Sequence, residues 1–185
     1  MAKQLAVYVS ASPEMDAECE LLGQLLAGMF HSTQWTIKRT PAYYERMNPD
    51  LDALRGSQFY VILLGMDIMA PMGVEWMVAQ EMGLPTFAFH NVEVVASPAT
   101  SYFMRQSGAQ WQSYRSPQEF IHQLERQLIH KLLEGTPGYG VEVSDLEELS
   151  ARLKALEEQD QAQDRGEERR GAGRGGIILP SAGAR

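Results

Sequence analysis

Only one cysteine, Cys19, occurs in the chain. A single thiol excludes an intramolecular disulfide and a cysteine-rich zinc site. Long apolar runs are missing as well, since nothing approaches the roughly 20 residues that span a bilayer. The opening MAKQLAVYVSASPEMD carries one Lys and a five-residue apolar run, too short for a secretory leader. Basic charge is scarce: 16 Lys and Arg against 24 Asp and Glu leave a net charge of −8. That balance argues against a nucleic-acid or membrane-surface binder. The patterns G-x-x-x-x-G-K-[ST], G-x-G-x-x-G after the first strand, G-x-S-x-G and H-E-x-x-H are all absent. P-loop NTPase, Rossmann dehydrogenase, serine hydrolase and zincin readings fall with them. The four histidines, His31, His90, His122 and His130, are scattered and read as surface residues, with no metal site among them. The expectation is a cytoplasmic protein without metal or cofactor.

What remains is enough for one domain of ordinary size and a tail: 185 residues, of which 44% are hydrophobic. Apolar runs at Leu5–Val9, Phe59–Leu64 and Thr86–Phe89 have the unbroken pattern of strands buried on both faces. Trp35–Lys38 and Trp111–Tyr114 are shorter strand candidates. Between them lie helical patterns. Ser12 and Pro13 suit the start of one carrying Leu21, Leu22, Leu25, Leu26 and Met29. Pro41–Leu54 reads as partly helical, interrupted at Pro49. Val74, Met77, Val78, Glu81 and Met82 recur at helical spacing, and Gly83 suits a left-handed cap. Ala99–Gln106 is a short helix expected to turn Tyr102 and Phe103 inward. Ser116, Pro117 and Glu119 open a closing helix whose buried face is Phe120, Leu124, Leu128 and Leu132. Strands alternating with helices predict a three-layer α/β, flavodoxin-like domain with a mostly parallel sheet over 1–135.

Composition then shifts. Residues 136–142 are a Pro/Gly linker. Residues 143–159 form an amphipathic helix, opened by Ser144 and Glu147, with Leu146, Leu149, Leu153 and Leu156 in a two-heptad seam. That seam serves either docking on its own domain or self-association. Residues 160–185 are polar and Gly/Arg-rich, as in disordered tails, apart from the apolar Ile177–Leu179.

In a parallel sheet, ligands bind beyond the carboxyl ends of the strands. The loop Gly65–Gly73 falls there, and Glu75 is expected on the first turn of the helix leaving it. A carboxylate in that place either stabilises the helix end or reaches a sugar, where it suits a transition state resembling an oxocarbenium ion. Trp76 beside it is a core or pocket-wall residue, or a stacking surface for a base.

Glu75, Ala79, Gly83 and Pro85 spell E-x(3)-A-x(3)-G-x-P ahead of an apolar strand. The pattern resembles the signature of the nucleoside 2-deoxyribosyltransferase-like and TIR-like (Toll/interleukin-1 receptor-like) families. VYVSASPEMDAECE, QFYVILLG and SPATSYFMRQSGAQWQSYRSPQEFIHQLERQL resemble more narrowly a TIR-like domain of undefined activity found at the N-terminus of STAND-type NTPases. The resemblance implies a catalytic Glu75, a nucleotide or nucleoside ligand, and a pocket lined by Ser10 and Ser12 of the first loop and by Gly65, Met66 and Asp67. It implies an N-glycosidase acting on NAD or a related nucleotide as a signalling or defence effector. A catalytically silent interaction domain of the same fold, or a deoxyribosyltransferase-like salvage enzyme, are the alternatives. Met66, Met69 and Met72 depart from the polar, Gly-rich turn of a deoxyribosyltransferase. The resemblance also implies assembly, since such enzymes often act only when assembled, so a homo-oligomer or a partner protein held through the heptad helix and tail is expected.

Overall fold

A computed structural model describes residues 3–29, 33–41, 45, 48–135 and 139–171. In chain order the elements are β1 (Lys3–Ala11), α1 (Asp16–Ala27), β2 (Thr33–Arg39), α2 (Leu51–Arg55), β3 (Phe59–Leu64) and α3 (Ala70–Glu81). There follow β4 (Thr86–Asn91), α4 (Pro98–Gln106), β5 (Gln112–Tyr114), α5 (Pro117–Glu134) and α6 (Val143–Gly171). The five strands form one sheet in the order β2-β1-β3-β4-β5, and every pairing is parallel. This is the three-layer, flavodoxin-like α/β arrangement that the alternation of strands and helices predicts.

Side chains alternate across each strand, so every apolar run divides between two cores. Leu5, Val7, Val9, Phe59, Val61, Leu63, Phe87 and Phe89 join Leu22, Leu25 and Leu26 of α1 and Phe120, Leu124, Leu128 and Leu132 of α5. Tyr8, Tyr60, Ile62, Leu64 and Ala88 point the other way, onto Leu54 of α2 and Met72, Trp76 and Ala79 of α3. All six residues of β3 are buried, as befits a central strand.

Local chemistry sets several of the ends. Gly83 has φ +64°. Its N–H bonds the carbonyl of Gln80, and the N–H of Leu84 bonds that of Ala79, the Schellman pairing that ends a helix on a left-handed residue. The Ser116 hydroxyl accepts from the N–H of Glu119 at 3.2 Å. The Glu119 carboxylate reaches back to the N–H of Arg115 at 2.8 Å.

Four starts or faces differ from the pattern-based reading. Helix α1 begins at Asp16 behind Met15, because Ser12 is turned inward to join two loops and is not available as a cap. Helix α3 begins at Ala70 with Pro71 in its first turn, which leaves Glu75 in the second turn and not the first. Its inward face is Met72, Glu75, Trp76 and Ala79, while Val74, Met77 and Met82 are exposed. Tyr102 on α4 is exposed too, and Phe103 alone turns toward Trp76. On α3 and α4 a buried polar or aromatic residue claims the inner face, and spacing by itself does not say which stripe wins.

Helix α6 starts at Val143, one residue ahead of Ser144, and Asp145 supplies the reach-back bond to the N–H of Glu142 at 3.3 Å. Its leucines turn inward: Leu149 and Leu156 are buried with the α1/α5 core, and Leu146 and Leu153 pack against it. Asp160 receives His122 at 2.7 Å and Arg126 at 2.8 Å from α5. Arg152 pairs with Glu125 and donates to the Gly28 carbonyl at 3.2 Å. The seam is therefore occupied by the chain's own domain. Ahead of it, the Tyr139 ring packs tilted against Phe59 at 4.9 Å and Val141 is buried, so this part of the linker is pinned. The helix runs on to Gly171, where composition alone predicts disorder from 160; Glu, Gln, Arg and Ala over that stretch are good helix formers. Ile177–Leu179 and His31 lie outside the described residues. No helix among the described residues is long and apolar enough to cross a membrane.

Candidate functional site

Glu75 enters the site from the inner face of α3, opposite the carboxyl ends of β1 and β2. Its side chain is fully buried, at 0% exposure. A buried carboxylate must be matched by donors, and three hydroxyls match this one. Tyr8 donates to Oε1 at 2.8 Å. Ser10, two residues along the same face of β1, donates to Oε2 at 2.5 Å. Thr40, just past the end of β2, donates to the same Oε2 at 2.5 Å. A fourth hydroxyl stands behind them: Tyr60 of β3 donates to the Ser10 oxygen at 2.7 Å. Charge-assisted bonds of this kind are short and strong.

The network is made of neutral donors, and its chemistry follows. Burial first, then the charge of Glu75 and the bond to it, push the Tyr8 phenol far above its ordinary range. The Tyr60 phenol is raised as well, chiefly by burial. Both stay protonated, so both remain donors. Chains of hydroxyls in a low-dielectric interior strengthen one another and fix a single arrangement.

Of the residues singled out in the sequence, Ser10 alone joins Glu75 directly. Ser12 is fully buried but serves another purpose: its hydroxyl donates to the Asp67 carbonyl at 2.8 Å and accepts from the N–H of Gly65 at 3.3 Å. Gly65 is buried at the strand end, and a Cβ there would run into the Glu14 carboxylate and the Met15 methyl. Met66 is exposed, and its N–H is held by Glu14. The Asp67 carboxylate accepts from Ser97 at 2.6 Å, at the head of α4. These contacts tie the β3–α3 loop to its neighbours, apart from Glu75. Trp76 is buried among Tyr60 (6.2 Å), Phe103 (5.7 Å) and Trp111 (6.3 Å), so its ring packs an aromatic cluster.

Tyr8, Thr40 and Tyr60 are the members that residue patterns miss. A signal for two of them was present: a tyrosine inside an otherwise apolar buried strand, as in LAVYV and QFYVILLG, has to find a partner for its hydroxyl. Thr40 gave none, because its neighbour is set by sheet pairing.

His90, at the end of β4, is half-buried, not a surface residue; its Nε2 is shut away without a hydrogen-bond partner, and burial lowers its pKa. Among the described residues no group of three or more His, Cys, Asp or Glu is placed to hold a metal ion. Among the described residues, surface hollows of about 340, 300 and 280 Å³ lie beside Trp35 and Ile37, beside Lys38 and Gln58, and beside Lys131 and Tyr139. None of the three is lined by Glu75.

No protein-family model and no curated protein matches the chain.

Proposed function

We propose that the chain is a catalytically silent TIR-like interaction module, acting in the cytoplasm, in which Glu75 is a structural carboxylate. One observation carries this reading. Glu75 is fully buried, and Tyr8, Ser10 and Thr40 take up both of its oxygens. A carboxylate that acts on a sugar has to touch it, and these oxygens touch the chain's own hydroxyls. The test is incubation with NAD and, separately, with a pair of deoxynucleosides, wild type beside Glu75→Gln. The expected result is neither nicotinamide release nor base exchange. Nicotinamide released by the wild type and lost in Glu75→Gln overturns the reading.

A second reading, an N-glycosidase for NAD or a related nucleotide serving as a signalling or defence effector, is favoured by one observation. The carboxylate lies by the carboxyl end of β1, where parallel sheets take ligands, ringed by hydroxyls that a ribose hydroxyl can replace in kind. There Glu75 would steady the oxocarbenium-like sugar with no metal. Base exchange in the same assay would select the deoxyribosyltransferase-like alternative.

A further inference from the structure

Helix α3 is apolar on both sides. Its inner face is used by the core, yet its outer face holds Ala70, Gly73, Val74 and Met77, with Val74 46% and Met77 67% exposed. Exposed Met66 and Met82 flank the two ends. Glu75 and Glu81 are the only charged residues in the helix, and Glu75 is buried. A helix that is hydrophobic all round belongs between two layers of protein. The chain's spare amphipathic helix, α6, does not supply that second layer, because it covers α5 on the opposite side of the sheet.

We infer that the outer face of α3 is where two copies of this chain pack, α3 antiparallel on α3 across a twofold axis. The inference rests on the interaction-module reading and names the partner of that module. Three features select a second copy. First, the molecule carries −8, so contact between two copies is least opposed where a surface bears little charge, as along this stripe. Second, an axis passing between Glu75 and Trp76 sets Met77 against the partner's Val74 and, at the same time, Glu81 against the partner's Ala70. Glu81 thereby reaches the positive end of the facing helix. That end has no acidic residue in its first turn and no side-chain cap. Third, Gly73 is not required by its own fold: its φ is not positive, and a Cβ there would meet nothing within 4 Å. A glycine inside a helix weakens it, and close approach of a second helix accounts for its place.

The experiment is sedimentation equilibrium on the full chain across a micromolar concentration series. Wild type is expected to be dimeric. Met77→Lys, at an exposed position, is expected to keep the circular dichroism spectrum and melting temperature while weakening association by about a hundredfold or more, because it replaces an apolar contact at the centre of the seam by a charge that must be desolvated. Gly73→Leu is expected to weaken association with no loss of thermal stability. Glu81→Lys is expected to weaken it several-fold, and adding Ala70→Glu to Glu81→Lys to restore it. A wild type that stays monomeric overturns the inference, as does a dimer indifferent to Met77→Lys or to the charge exchange. A monomer without turnover sinks the contact and leaves the module reading standing. A dimer that hydrolyses NAD sinks the module reading and leaves the contact.

Discussion

The Tyr8 hydroxyl donates a 2.8 Å hydrogen bond to Oε1 of Glu75, 67 residues further along the chain. The bond crosses from the first strand to the third helix, so it forms only when the sheet and its covering layer are both in place. Glu75 is thus a test of tertiary order as much as a candidate reactant.

Removing the carboxylate should cost stability. Glu75→Ala leaves the hydroxyls of Tyr8, Ser10 and Thr40 facing a small cavity, a loss of about 3–5 kcal/mol. Glu75→Gln keeps one acceptor oxygen but sets an NH₂ against hydroxyls, and should fall between wild type and Ala. Urea denaturation midpoints for the three proteins check this. Equal midpoints would mean that the network contributes nothing.

The buried phenols make the fold sensitive to alkali. Tyr8, Tyr60 and Tyr114 are all held above their ordinary range, chiefly by burial. In the unfolded chain they ionise near pH 10, while in the folded chain they keep their protons. Above that pH the unfolded state binds fewer protons, so their contribution is complete below about pH 10 and is lost as pH rises further. Each such group adds a slope of up to about 1.4 kcal/mol per pH unit. Tyr114→Phe should flatten the decline measured by urea unfolding between pH 9 and 11.5, and an unchanged slope would refute the assignment.

Two glycines should respond in opposite directions. Gly83 has φ +64°, so Gly83→Ala should cost about 1 kcal/mol or more. Gly73 is helical with open space around it, so Gly73→Ala should stabilise by up to about 1 kcal/mol. Thermal melts of the two variants decide the matter, the second at a concentration low enough to keep the chain monomeric.

Helix α6 should behave as part of the domain. Leu149 is fully buried against the α1/α5 core, and Leu149→Ala should cost about 2–4 kcal/mol. Lys154 is exposed, with only a 4.0 Å surface pair to Glu158, and Lys154→Ala should change stability by less than about 0.5 kcal/mol. A single cooperative unfolding transition, with α6 lost together with the sheet, is the expected calorimetric result.

Cys19 should be slow to react. Burial first of all pushes its thiol up to about 11, which keeps the nucleophilic thiolate scarce at neutral pH. Alkylation at pH 7.5 should be markedly slower in the native protein than in urea.

The unbroken run Phe59–Leu64 identified a central strand, because six apolar residues in a row suit only a strand covered on both faces. Gly83 marked a helix end, because a left-handed residue there favours a missing Cβ. Ser116 and Glu119 marked a helix start through their own hydrogen bonds. All of these are local, and a neighbouring turn suffices to specify them.

The rest depended on partners far away in the chain. Glu75 looked like an acid near the head of a helix. Only the packing of α3 on β1, together with the pairing of β1 with β2, brought Tyr8, Ser10 and Thr40 around it and closed it from solvent. Spacing along α3 pointed to the stripe of Val74, Met77, Val78, Glu81 and Met82, but the sheet took the one that contains Glu75 and Trp76, leaving Val74 and Met77 outside. The four leucines of α6 fitted a self-association seam and a docking helix equally well, until α5 filled the space in front of them. Sequence determined which segments are strands and helices, and the ends that carry their own caps, as at Gly83 and Ser116, since those hydrogen bonds are short-range. Which face turns inward, and which carboxylate is sealed, follows from what lies across the sheet, and only the folded chain brings those groups together.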